Sequence, residues 1–281
     1  MKTEKKAVLG ILSAVLLVGA IAVYAAATKT ITIKGSDTMI ILAQRWAENY
    51  MAKNPDVTLQ VTGGGSGVGI SALINGTTDI CNASRPMKNS ERNNLKSRFN
   101  SLGVEIPVAR DGITLYVNDG NLVSELSLAQ IKALYRGEVT NWKDVGGSDA
   151  KVILYGRENS SGTYVYFRDN VLAGNDYSPL TQTLPGTAAV VNAVAKDKNG
   201  IGYGGAAYAK GIKVVKVRKD ASSEAYAPTI ETIKAGQYPI SRYLYMYTRN
   251  TPAGDVKQFI DWVLSDEGQA IVSLVGYFPV K

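Results

Sequence analysis

Three short stretches of this chain gather hydrogen-bond donors around glycine. They are Gly35-Ser36-Asp37-Thr38, Gly63-Gly64-Gly65-Ser66-Gly67-Val68-Gly69 and Arg157-Glu158-Asn159-Ser160-Ser161-Gly162-Thr163. Each stands between an apolar strand-like run and a helical pattern. Helix starts leave four N–H groups unpaired and carry partial positive charge. Glycine lets the backbone come close to a ligand, so a strand–glycine–helix junction suits an anion. Ser36, Thr38, Ser66 and Ser161 add hydroxyl donors, with Thr163 as a fifth. Arg157 and Arg85 add guanidinium groups, which can take an oxyanion in bidentate fashion. Taken singly, each feature also has a plain reading: a tight turn, a helix N-cap or a surface salt bridge.

Donors without a base or a metal hold an oxyanion rather than transform one. The chain has no histidine and a single cysteine, Cys81. A Ser-His-Asp or Cys-His nucleophile, a histidine base and histidine metal ligands are therefore excluded, as is an internal disulfide. Cys81 reads as a small core residue. No Gly-Lys-[Ser/Thr] follows the glycines, and the position two after Ser66 is Val68, so neither a Walker loop nor a nucleophile elbow is present. The reading is a binding protein, not an enzyme, without metal or other cofactor. Asp37 is the exception among the donors. It either caps the following helix or pairs with Arg157 or Arg85, or it accepts a proton carried by the ligand. Phosphate near neutral pH has such a proton and sulfate does not, so a fixed acceptor could discriminate between them.

Strands and helices alternate along the whole body and imply an α/β fold. Thr30–Lys34 and Val57–Thr62 alternate at period two, and Ile70–Gly76 is a short helix ending on Asn-Gly. Met39, Leu42, Ala43, Trp46, Ala47 and Tyr50 recur at helical spacing. Thr78–Ala83 is a strand leading into Ser84-Arg85-Pro86, and Glu91–Leu102 a polar helix. Gly103–Ala109 and Gly112–Asn118 read as two strands, and Ser127 caps a helix over Leu128–Arg136 that Gly137 stops. Lys151–Tyr155 is a strand before a helix over Tyr164–Leu172. Further strands cover Ile201–Gly204, Lys213–Val217 and Arg242–Tyr247, and helices cover Val256–Leu264 and Glu267–Leu274. Ligands in α/β folds sit at the carboxyl ends of strands, where the three serine-bearing loops lie.

Residues 1–27 stand apart. Lys2, Lys5 and Lys6 precede an apolar run from Ala7 to Ala27, and Ala25 and Ala27 are small. This is a secretory signal cleaved near Thr28, or an uncleaved membrane anchor; either places the body outside the cytoplasm. The formal net charge of +7 is spread over the chain without a dense Lys/Arg run, which argues against nucleic-acid binding.

On these motifs the chain resembles the phosphate-binding proteins that feed phosphate ABC transporters. The likeness is carried by Gly35–Thr38, Gly64–Gly67, Asn82-Ala83-Ser84-Arg85, Thr140-Asn141-Trp142, Arg157–Thr163, Ile201-Gly202-Tyr203 and Tyr238–Arg242, and it covers nearly all of 30–281. The resemblance implies a two-lobed clamshell of the periplasmic-binding-protein type with a hinge between the lobes. One lobe would comprise 28–110 plus 218–281 and the other 111–217. It implies that inorganic phosphate is held by Ser36, Thr38 and nearby N–H groups, by Ser66, and by Arg157, Ser161, Gly162 and Thr163 from the second lobe. It implies a monomer that delivers the ion to the membrane permease of an importer. Well-known members carry an aspartate after the Ala-Ser pair that accepts the phosphate proton. Arg85 stands there in this chain, as in one subset of the family, and Asn159 replaces another aspartate. The site is then more positive, Arg85 joins the ligand set, and Asp37 becomes the substitute acceptor. Sulfate, molybdate or tungstate is the alternative ligand, and a phosphate-sensing or hydrolytic protein on the same scaffold is the alternative role.

Overall fold

The computed structural model describes residues 29–281; the apolar leader lies outside the described residues. The first half of the chain builds three parallel strands and their helices. β1 (Lys29–Gly35) leads through a 3₁₀ turn at Asp37–Met39 into α1 (Ile40–Lys53). α1 buries Leu42, Ala43, Trp46, Ala47 and Tyr50 on one face, the stripe expected from their spacing. β2 (Val57–Thr62) is followed by α2 (Ser66–Asn75), which begins four residues before the apolar pattern does. The turn between them runs through Gly64 and Gly65 at φ 107° and 93°, a region that side chains with a Cβ rarely enter. Ser66 thereby opens the helix. β3 (Ile80–Ala83) and α3 (Asn89–Phe99) complete this part.

β4 (Val104–Val117) is one strand of 14 residues where the sequence reads as two. The apparent break at Gly112 is a close approach: a Cβ there would lie 2.6 Å from the Pro228 side chain. The chain then forms β5 (Glu125–Ser127), α4 (Leu128–Arg136), β6 (Ile153–Arg157), α5 (Gly162–Asn170) and β7 (Gln182–Leu184). α6 (Gly186–Lys196), β8 (Gly200–Gly205), β9 (Lys213–Arg218) and α7 (Ile230–Lys234) follow. Ser127 caps α4 through the Gln130 N–H, and Gly137 ends it in the left-handed conformation. β10 (Ser241–Thr248), α8 (Gly254–Val263) and α9 (Asp266–Val275) close the chain.

The sheet order is β2-β1-β3-β10-β4-β8-β6-β7, with β9 alongside β4 and β5. β1, β2 and β3 are parallel, and β10 lies antiparallel between β3 and β4. The apolar side chains divide into two main cores. One joins Ile33, Trp46, Leu59, Ile80 and Val108 to Leu244, Phe259 and Val272. The other joins Ile113, Leu134, Trp142, Phe167 and Tyr203 to Ile233, Tyr238 and Ile240. The residues from 218 to 240, expected with the first lobe, thus send their apolar side chains into the second core. Tyr226 bridges back to Val217 on β9, and the Tyr238 hydroxyl donates to the Ile113 carbonyl at 2.7 Å. Strand β4 leaves the first core after Ala109 and enters the second at Ile113, while β10 makes the reverse passage between Ile240 and Leu244. Asp111 and Arg242 lie between these points as cross-strand partners.

Candidate functional site

The three glycine–serine junctions meet where the two cores face each other. Thr38, at the turn before α1, brings its Oγ1 to 2.9 Å from Thr163 Oγ1 on the first turn of α5. Ser66, at the first residue of α2, lies with its Oγ 3.3 Å from Ser84 Oγ at the exit of β3. It also accepts the Ser84 N–H at 3.0 Å. Gly162 fits against this serine pair. A Cβ there would collide with Ser66 Oγ and lie 2.6 Å from Ser84 Oγ. The Gly67 N–H donates across to the Ser160 carbonyl at 2.9 Å. A Cβ on Gly65 would lie 2.5 Å from that same carbonyl oxygen, so glycine serves the left-handed turn and the close approach together.

Asp37 spans the junction. Its Oδ1 accepts the Gly64 N–H at 2.8 Å, and its Oδ2 accepts Arg157 Nη2 at 2.8 Å. Arg157, at the end of β6, is 1% exposed. Its Nη1 donates to Thr187 Oγ1 at 2.9 Å, and Nη2 also reaches Glu158 Oε1 at 3.1 Å. Burial alone would raise the Glu158 carboxyl, but the Arg157 hydrogen bond and charge outweigh it and hold it below the ordinary range. Ser161 caps α5, its Oγ accepting the Thr163 and Tyr164 N–H groups at 3.2 and 3.3 Å. Ser36 is buried beside the turn, and its N–H donates to the Asn82 carbonyl at 2.8 Å.

Ser36, Asp37, Thr38, Ser66, Arg157, Ser161, Gly162 and Thr163 are therefore neighbours. Arg85 is not brought to them. Its guanidinium grips Glu91 with two bonds of 2.8 and 2.7 Å and donates to the Pro86 carbonyl at 3.0 Å. Glu91 stands in the first turn of α3, where it also accepts the Lys88 N–H at 2.7 Å. A carboxylate six residues away, fixed by a helix start, is the nearer partner for this guanidinium. Burial pushes the Glu91 carboxyl up; the Arg85 bonds, with Lys88, more than reverse this and keep it low.

Two side chains at the site escape a local reading, Ser84 and Arg242. Ser84 stands in the sequence as the end of a strand and within the Asn82–Arg85 likeness, with no role at the site assigned to it. Arg242 is aligned with Asp111 by strand register across 131 residues, and both Nε and Nη2 donate to Asp111 Oδ2, at 3.1 and 2.8 Å. Arg242 is the single charged residue of β10, whereas Asp111 shares β4 with Glu105 and Arg110, so charge alone does not single out the pair. Burial pushes the fully enclosed Asp111 carboxyl up, against the pull of Arg242 and the Ala206 N–H.

The result is a buried group of hydroxyl and N–H donors contributed by both cores, with each arginine matched by a carboxylate. It offers many donors converging on one place, and no hydroxyl there is paired with a base that could activate it. A profile of the PBP superfamily domain matches residues 22–267. The Phosphate-binding protein PstS of Pseudomonas aeruginosa is 34% identical over 263 residues, covering 88% of this chain and 81% of that protein. The chain belongs to the PstS family of phosphate-binding proteins. PstS of Staphylococcus haemolyticus is likewise 34% identical, over 247 residues. Among solved structures, a phosphate ABC transporter substrate-binding protein from Clostridium perfringens, with phosphate bound, superposes with a TM-score of 0.81. It is 32% identical, and the match covers 90% of this chain and all of that one. An ABC-type phosphate transport receptor from Vibrio cholerae gives a TM-score of 0.71 at 28% identity over 88% of this chain. The α/β architecture with two cores is accordingly the two-lobed periplasmic-binding-protein fold that the sequence implied.

Proposed function

We propose that this chain captures inorganic phosphate between its two lobes and delivers it to the membrane permease of an ABC importer. The observation that carries the reading is the convergence of donors from both lobes: Thr38 and Ser66 from one, Arg157, Gly162 and Thr163 from the other. Closing on the ion completes the site, which is how a carrier retains its cargo until a partner opens it. A micromolar site corresponds to about −8 kcal/mol. Hydrogen bonds to a charged ligand contribute about 1.5–3 kcal/mol each, so four or five of them suffice after desolvation. The protein acts as a monomeric carrier, without turnover. Its place is outside the cytoplasm, reached through the apolar segment 7–27 as signal or anchor. The lobes are taken as 29–110 with 241–281, and 111–240. The return crossing then falls at β10 rather than at residue 218, in keeping with the packing of Ile233, Tyr238 and Ile240.

Asp37 is the acceptor for the phosphate proton in this reading. Each carboxylate oxygen has two lone-pair sites, and each Asp37 oxygen has one strong partner, Gly64 or Arg157. Room for one further donor remains. The test is isothermal titration of residues 28–281 with phosphate and with sulfate at pH 7, for the unmutated chain and for Asp37→Asn. Phosphate binding without sulfate binding, relaxed towards sulfate by Asp37→Asn, is the expected outcome. Equal binding of both ions by the unmutated chain would make it a broader oxyanion carrier, and binding of neither would end the transport reading.

A further inference from the structure

We propose that Arg242, anchored by Asp111 where the two lobes join, is a positioning residue for anion capture that fixes the Thr163 hydroxyl as a donor. The inference rests on the phosphate-binding reading above. Asp111 and Arg242 are directly paired across β4 and β10 at the crossing between the cores. Their side chains are 0% and 2% exposed. Arg242 grips one group from each lobe: Nη1 donates to the Ser84 carbonyl at 2.8 Å, and Nη2 to Thr163 Oγ1 at 2.9 Å. The Tyr166 ring lies against the guanidinium, 5.5 Å from its carbon, and the Tyr166 hydroxyl donates to the Ser241 carbonyl at 2.8 Å. Five N–H donors in one plane are thus held in a fixed orientation.

A guanidinium donates and never accepts. Thr163 Oγ1 must therefore accept from Arg242, and its own proton cannot point back along that bond. Thr38 Oγ1 of the other lobe lies 2.9 Å away, in a contact where either hydroxyl can donate, so the Thr163 proton is directed to the side away from Arg242. An anion lying against these hydroxyls meets a Thr163 proton whose choice of directions Arg242 has already narrowed, and preorganised donors lose less on binding than free ones. The contribution is one of direction rather than of charge, because Asp111 cancels the Arg242 charge at 2.8 Å. A free hydroxyl would serve equally as donor or acceptor, and it would tolerate a ligand that the oriented one rejects.

The experiment is titration of inorganic phosphate into residues 28–281 and five variants: Asp111→Asn/Arg242→Met, Arg242→Lys, Thr163→Val, the triple change and Arg242→Lys/Thr163→Val. Removing both charges together avoids a lone buried ion, and the amide oxygen supplied by Asp111→Asn still accepts the Ala206 N–H. We expect the neutral pair to unfold cooperatively and to lose affinity by about 10- to 100-fold. In the Thr163→Val background the same change should cost less than about threefold, since the hydroxyl to be oriented is gone. The salt dependence of binding should stay as in the unmutated chain. Unchanged affinity in the neutral pair, or the full loss repeated without Thr163, would overturn the inference. If the neutral pair does not fold, Arg242→Lys runs the same cycle, because a point-like ammonium cannot fork to three partners. An unmutated chain that fails to bind phosphate sinks the functional reading and this inference with it. Binding by the unmutated chain with losses that simply multiply sinks the inference alone.

Discussion

Gly162→Ala separates closure from folding with a single methyl group. Gly162 opens α5, and its missing side chain is where the first lobe's serine pair fits: an added Cβ would collide with Ser66 Oγ and stand 2.6 Å from Ser84 Oγ and 2.9 Å from Ser66 Cβ. Ordinary contacts begin near 3.4 Å, so the lobes must stay about 1 Å further apart there. Overpacking of this kind costs about 1–3 kcal/mol. Gly162 is not among the glycines with positive φ, and alanine is the better helix former. The cost therefore falls on the closed arrangement and not on either lobe. Converted to affinity, it is a rise in the phosphate Kd of roughly 5- to 150-fold, with the melting temperature of the ligand-free protein unchanged or slightly raised. Titration calorimetry and thermal unfolding with and without phosphate measure both halves. An unaltered Kd would mean that phosphate binds without bringing these loops together. A fall in the ligand-free melting temperature would mean that the contact supports the fold rather than the capture.

Arg157→Gln should weaken phosphate binding by at least about 100-fold, because it removes a buried guanidinium and leaves the Asp37 carboxylate facing the anion; a titration within tenfold of the unmutated protein would exclude Arg157 from the site. The Arg85–Glu91 pair contributes to stability. Glu91 is held below its ordinary value by Arg85 and Lys88 against the effect of burial. Its contribution is fully present above the unfolded carboxyl pKa of about 4.3 and is lost as pH falls through the lower folded value. Glu91→Gln should therefore destabilise the protein at pH 6–7, and the gap should narrow steadily below pH 4, as urea unfolding at several pH values would show. A gap that persists undiminished at pH 2 would exclude ionisation as its cause.

The local signals that carried the fold were those with a local cause. Ser127 and Gly137 bracket α4 because a hydroxyl can cap one end and only glycine readily takes the left-handed turn at the other. The same holds for the donors of the site: Thr38, Ser66 and Ser161 sit at helix starts because the chain folds there, and the helix starts then meet. What needed the structure was set by partners distant in sequence. Gly112 looked like a gap between strands, whereas a close approach to Pro228 fills its place. Arg242 is matched to Asp111 by register alone. Arg85 was assigned by its position at a strand exit, yet the carboxylate that captures it lies within its own connection to α3. β7 was invisible because three residues carry no period.

The position of β10 bears on the order in which the molecule can be made. Strands β3 and β4 are joined in the sheet only through β10, which lies between them, and β10 ends only at Thr248. As the chain is synthesised, the residues of the second core from Ile113 to Ile240, all but Phe278, are available before the first lobe has β10. The first lobe must hold its three opening strands and their helices unfinished for more than a hundred residues of synthesis. β10 carries Arg242 and only α8 and α9 follow it, so the two lobes are joined through this pair late in synthesis.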